Sequence, residues 1–313
     1  MLKQPVFEAY HPSLKLLLFI FFLFTCLLFS YLIGMLIAIP FYGTSFITGG
    51  KNLSDLSDPS VVSLLKFLQI CSQTGLVVAV LLFVFFVNRN IGNYLNINKF
   101  PRIFSVLLII LILLVSVPLI NKLSELNSQI KFGSHWKNIE IFLKSYEEKN
   151  NIILEAFLKA DSFKVLLFNI FMIGLFTAVI EEFVFRGVIL KIFHDWTKNK
   201  HLAVIISAFI FASLHLQFYK IIPMFLLGTL LGYIYVWTKC LWMPIFLHFI
   251  NNTISVVYSY YHRKGIIGDA IEKIGVNQQD NLLVLISLIS VAALIFVFYF
   301  NERRKNTLAQ SQV

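Results

Sequence analysis

Apolar residues gather into eight runs separated by short polar stretches. They cover residues 14–39, 61–87, 103–120, 165–187, 202–217, 221–238, 241–260 and 282–300. A helix needs about 20 mostly apolar residues to cross the roughly 30 Å hydrocarbon core of a bilayer. The runs approach or exceed that length, so the pattern predicts an all-α, polytopic transmembrane helical bundle with about eight spanning helices. Residues 1–313 read as a single membrane domain. The first run is much longer than the 7–15-residue apolar region of a signal peptide, so it reads as a permanent helix. Lys66, Gln69 and Gln73 interrupt the second. The fifth is short and ends near His215, which suits a helix packed among others rather than one facing lipid.

The one long polar interval, 121–164, has its own periodicity. Trp136, Ile139, Phe142, Leu143 and Tyr146 recur at steps of three or four residues or lie beside such a step. That spacing predicts an amphipathic extramembrane segment that lies on the membrane or caps the bundle.

Composition agrees with this reading. Of 313 residues, 58% are hydrophobic and 13% charged, against roughly 45–50% and about 25% in soluble domains. An ordinary soluble enzyme and a disordered chain are both excluded. The net charge of +10 comes from basic residues between apolar runs, so it reads as a topology signal and not as a nucleic-acid surface. With both termini inside, the inside segments hold twelve Lys and Arg and the short outside loops five. The 121–164 interval adds seven lysines outside, set against six acidic residues. Positive-inside bias therefore favours cytoplasmic termini. Cys26, Cys71 and Cys240 lie in apolar runs without the spacing of a disulfide framework or a metal site.

An ionisable side chain inside hydrocarbon costs at least about 2.5–3.5 kcal/mol on insertion scales. Three segments carry that cost. "TAVIEEFVFRGVIL" holds Glu181, Glu182 and Arg186; "FIFASLHL" holds His215; "MPIFLHFINNTIS" holds His248, Asn251 and Asn252. Glu182 and Arg186 are i,i+4 and can pair on one helix face, while Glu181 points about 100° away. His248 and Asn252 are also i,i+4. Phe211 stands one turn before His215 and can wall its ring. Each feature alone has a plainer reading: a structural ion pair, a helix–helix histidine contact, or interhelical amide glue, which suits Asn251. Together they offer acids, imidazoles and an amide able to activate water and hold an oxyanion.

"EEFVFR", "FASLH" and "HFINN" follow Glu-Glu-x-x-x-Arg, Phe-x-x-x-His and His-x-x-x-Asn in order on separate apolar runs. This resembles the CPBP family of intramembrane proteases, which includes type II CAAX prenyl endopeptidases and bacterial proteins of bacteriocin processing or self-immunity. The resemblance implies a catalytic core over 165–260 and a peptidase that cuts a membrane-associated protein or peptide within the bilayer. It makes Glu181 the general base with His215, His248 and Asn252 the oxyanion pair, and Glu182 and Arg186 supporting residues. It also implies the plasma (inner) membrane of a bacterium. The family is often described as metalloproteases. A divalent ion such as zinc, held by Glu181, His215 and His248, is thus the alternative to a metal-free mechanism. No His-Glu-x-x-His is present, and the preferred reading is a glutamate-activated water. The competing functions are a proton-coupled transporter and a non-catalytic immunity or scaffold protein. No repeated halves favour the transporter.

Overall fold

The computed structural model describes residues 5–131 and 133–310, and side chains through residue 304. Among these residues there are helices and no strands. The long helices are α1 (Pro12–Tyr42), α2 (Pro59–Val87), α3 (Ile103–Ser128), α4 (Lys137–Leu158), α5 (Phe163–Thr197), α6 (Lys200–Leu214), α7 (Ile221–Thr238), α8 (Trp242–Arg263) and α9 (Asn281–Gln310). The chain is a multi-pass membrane protein.

Local chemistry sets the ends of these helices. Both α1 and α2 open on a polar cap followed by proline. His11 accepts from the Ser13 amide, and Asp58 accepts from the Ser60 amide at 2.8 Å. Proline at the first helical position gives up an N–H that would be unpaired there anyway. Between α5 and α6 the chain turns through Lys198 at φ 54°, and Asn199 caps α6 by accepting from the amides of His201 and Leu202.

Six helices among the described residues are long and apolar enough to cross a membrane: α1, α2, α3, α5, Phe218–Thr238, which ends with α7, and Gln278–Arg304, which takes in most of α9. The other two expected spans form helices where the apolar runs place them, but each falls short as a free-standing span. Helix α6 has 15 residues, about 22 Å of rise against a core of about 30 Å. Helix α8 carries His248, Asn251 and Asn252 along its middle. These two helices hold part of the candidate site. Helix α6 does not lie wholly among other helices, as its length suggested: it leaves Phe209 and Leu214 exposed, while Phe211 and, on α8, His248 are buried. Elsewhere the apolar runs undershoot. Helix α3 continues through a polar turn to Ser128, and α5 runs 35 residues to Thr197.

Packing centres on α5 and α8. One core joins Phe19 of α1, Phe83 of α2, Phe185 and Val188 of α5, Phe211 of α6, Tyr235 of α7 and Ile245 of α8. A second joins Leu108 and Ile109 of α3, Leu231 of α7, Leu247 of α8 and Phe298 of α9. Helix α8 contributes to both. Helix α1 instead leaves Phe24, Leu36 and Phe41 exposed, the surface expected of a lipid-facing helix. Helix α4 leaves Ile139, Phe142 and Ile153 exposed.

Two glycines set the spacing around the centre. A Cβ on Gly228 would stand 3.1 Å from Phe211 and 3.3 Å from Ala208, so its absence lets α7 lie close on α6. A Cβ on Gly174 would meet Thr253 Oγ1 at 2.8 Å, which brings α5 against α8.

Candidate active site

Helix α5 contains two π-helical stretches, Ile170–Phe176 and Phe183–Ile189, on either side of the α-helical segment Thr177–Glu182. A π-turn adds a residue to a turn and re-aims the side chains beside it, and such turns concentrate at functional sites. Glu181 and Glu182 end the α-helical segment, and their carboxylates reach different partners.

Glu182 is fully buried, and its Oε1 accepts from Arg186 Nη1 at 2.7 Å and from His248 Nδ1 at 2.9 Å. Arg186 Nη2 donates to the Gly228 carbonyl at 2.8 Å, and its guanidinium lies 5.0 Å from the Phe211 ring centroid. One carboxylate thus joins α5 to α8, and one guanidinium joins α5 to α6 and α7.

Glu181 faces the other way, as the 100° step requires. Its Oε2 lies 3.6 Å from His248 Nε2 and 3.9 Å from His215 Nε2. This oxygen is buried and makes no hydrogen bond within the protein. His215 Nδ1 donates to the Phe211 carbonyl at 2.7 Å. That acceptor has no hydrogen to give, so Nδ1 carries the proton and Nε2 presents its lone pair when the ring is neutral. The same reasoning applies to His248, whose Nδ1 is committed to Glu182. Phe211 walls both rings, with centroids 4.6 Å from His215 and 5.9 Å from His248.

Three acceptors therefore converge: a carboxylate oxygen and two imidazole nitrogens held by partners on their far sides. Separations of 3.6–3.9 Å are too long for direct hydrogen bonds and shorter than the roughly 4.5 Å that a water donating two hydrogen bonds of about 2.8 Å spans. They exceed the spacing of about 3.3 Å between ligands of a tetrahedral zinc with bonds of about 2.0–2.1 Å. Among the described residues no group of three or more His, Cys, Asp and Glu side chains is set to hold a metal ion. The donor types, a carboxylate and two imidazoles each held on its far side, are nonetheless ones that a divalent ion such as zinc takes.

Five of the six expected residues thus meet: Glu181, Glu182, Arg186, His215 and His248. Asn252 follows His248 by one turn but reaches α5, where its Nδ2 donates to the Ile173 carbonyl at 3.3 Å. Asn251 Nδ2 donates to Asn252 Oδ1 at 3.4 Å. Sequence reasoning did not assign the Gly228 carbonyl or the cation–π contact of Phe211 with Arg186. Its one available signal was the small residue pair Gly228 and Gly232, a spacing that brings helices close.

Residues 163–254 match the family model described as Type II CAAX prenyl endopeptidase Rce1-like. Over these residues the chain is similar to this family. It carries the CPBP-type motifs in the order the resemblance requires. The chain is also similar to "Membrane-embedded CAAX protease MroQ" of Staphylococcus aureus (strain USA300), with 37% identity over 95 residues. That alignment spans 28% of this chain and 38% of MroQ. With "Putative membrane peptidase YdiL" of Bacillus subtilis (strain 168) it shares 32% identity over 79 residues, 25% of this chain and 32% of YdiL. The chain thus matches 38% of the length of one relative and 32% of the other. No solved structure matches the chain at a significant level.

Proposed function

We propose that the protein is an intramembrane endopeptidase that hydrolyses a peptide bond of a membrane-associated protein or peptide of the CAAX or bacteriocin type. The observation that carries the proposal is the convergence of His215 Nε2 and His248 Nε2 on Glu181 Oε2, within the segment of Rce1-like similarity.

Glu181 is the general base. A water between Glu181 and His215 gives one hydrogen bond to each, which orients its oxygen lone pair toward the scissile carbonyl. As the water oxygen bonds to the carbonyl carbon, its proton passes to Glu181 and the carbonyl π electrons become an oxyanion. Collapse of the tetrahedral intermediate breaks the C–N bond, and Glu181 returns the proton to the departing amine. The products are a carboxylic acid, which keeps the water's second proton until it ionises, and an amine, and Glu181 is again ionised.

His248 and Asn252 hold the oxyanion. His248 Nδ1 is committed to Glu182, so Nε2 donates only when the ring carries both protons. Asn252 has a second amide hydrogen beyond the one given to Ile173. Glu182 and Arg186 position His248 and touch no reacting atom. In this reading no metal ion takes part.

The test is cleavage of a membrane-tethered peptide library by the purified protein. Glu181→Gln keeps the shape of the side chain and loses proton-accepting power, so activity falls by about 10²–10⁴-fold with the fold intact. Wild-type rates in Glu181→Gln would remove this residue as base. A chelator leaves the rate unchanged; chelator-sensitive cleavage would establish the metal alternative. No cleavage by the wild type, with solute uptake lost in Glu181→Gln, would mark a transporter.

A further inference from the structure

A cavity of about 500 Å³ lies far along α5 from the catalytic glutamate, between the last turn of α1, the first turns of α2, the end of α4 and the first turns of α5. Its lining includes Tyr42, Val62, Lys66, Ile70, Lys159 and Phe168. Lys66 is the unusual member. It is only 7% exposed, yet its ammonium finds a neutral acceptor: Nζ donates to Asn169 Oδ1 at 2.9 Å. The rings of Phe157 and Phe168 lie 5.9 and 6.0 Å from the charge. Among the described residues no carboxylate lies within ion-pairing distance of it. An ammonium has three hydrogens to donate, and a buried cation without an anion is costly.

Place and shape say what would compensate it. Lys66 follows Pro59, the first residue of α2, by seven positions, about 10 Å of helix. That depth falls near the boundary between headgroups and acyl chains. Lys159, exposed and free of any carboxylate in ion-pairing range among the described residues, adds a second cation at the rim; Asp161 is the one acid there. The walls toward the bilayer are apolar, and Phe168 is 41% exposed on that side. A small soluble anion would leave these walls unused. An acyl chain would cover them.

We propose that this cavity binds an anionic phospholipid, its phosphate received by Lys66 and Lys159 and one acyl chain lying over Ile70 and Phe168. Basic pockets between membrane helices are suited to such headgroups. The site is distinct from the Glu181 cluster and does not rest on the peptidase reading.

The test is thermal unfolding of the full chain in a neutral detergent, titrated with short-chain phosphatidylglycerol, phosphatidylcholine of the same chains, or inorganic phosphate. Phosphatidylglycerol raises the midpoint saturably, as any ligand of the folded state does. The other two give no saturable rise in the same range. Lys66→Met keeps the apolar stem and removes the charge, and raises the half-saturating concentration at least tenfold, the scale of one lost charged hydrogen bond. Should Lys66→Met not fold, Val165→Trp fills the cavity from α5 without touching the lysine and produces the same loss. Equal stabilisation by phosphatidylcholine or by phosphate alone overturns the proposal. So does an unchanged half-saturation in the variant that folds.

Discussion

His248 Nδ1 lies 2.9 Å from Glu182 Oε1, and this contact decides which ring nitrogen faces Glu181. Glu182 sits next to Glu181 in sequence but serves the opposite side of the imidazole. Adjacent acids on one helix therefore act on the two ends of a single ring that α8 carries across to them. In the proposed mechanism the first holds the point where water is activated, and the second fixes the ring's tautomer and rotation.

Truncating that ring should separate chemistry from folding. In His248→Ala, Glu182 keeps Arg186 at 2.7 Å, so no charge is stranded. The loss of one charged hydrogen bond costs about 1.5–3 kcal/mol of stability. Loss of an oxyanion donor lowers kcat by about 10²–10³-fold. Peptide cleavage measured beside thermal unfolding checks both numbers. A decline in rate of less than fivefold in folded protein would remove His248 from the chemistry.

Arg186→Ala should do the reverse. Arg186 is 1% exposed and bonds both Glu182 and the Gly228 carbonyl. Its removal strands a buried carboxylate and unpins α7, a loss of about 3–5 kcal/mol. Lower yield and a lower unfolding midpoint in detergent are the expected signs. A variant as stable as wild type but inactive would place the guanidinium in the catalytic step.

Much of this site was legible because membranes make polar residues expensive. Glu181, His215 and His248 stood out against apolar surroundings, and i,i+4 spacing was enough to expect the Glu182–Arg186 pair. Contacts set by tertiary packing were not legible. Arg186 meets a backbone carbonyl that any residue at 228 would carry. Lys66 meets Asn169 across 103 positions of chain, and neither residue type names the other. The helix ends were misjudged for a related reason. Apolar runs report what faces lipid, whereas α3 and α5 continue as helices into polar turns, α6 is apolar but only 15 residues long, and α8 carries polar residues along its middle.

Orientation follows from the charge bias, which favours cytoplasmic termini with the segment containing α4 on the opposite face. Single cysteines at Ser128, where α3 ends, and at Ser311, which lies outside the described residues, should label from opposite sides of sealed vesicles. The three native cysteines are replaced first. Labelling of both from one side would overturn the arrangement.

Glu181 and His215 offer the most discriminating measurement. Their facing atoms are 3.9 Å apart, too far to bond directly, and His215 is held from behind by the Phe211 carbonyl at 2.7 Å. If both act on one water, each single variant already loses the oriented nucleophile, and the second change has little left to remove. Residues that work as a unit are strongly non-additive in this way. Glu181→Gln and His215→Ala should each lower kcat/KM by about 10²-fold or more. The double variant should fall close to the worse single, not to the product of the two. A coupling of at least about 1.4 kcal/mol, a factor of ten, is the expected outcome of that cycle. Two independent roles would give multiplicative losses and a coupling near zero. That result would return His215 to the helix–helix contact that its position at the end of α6 also permits.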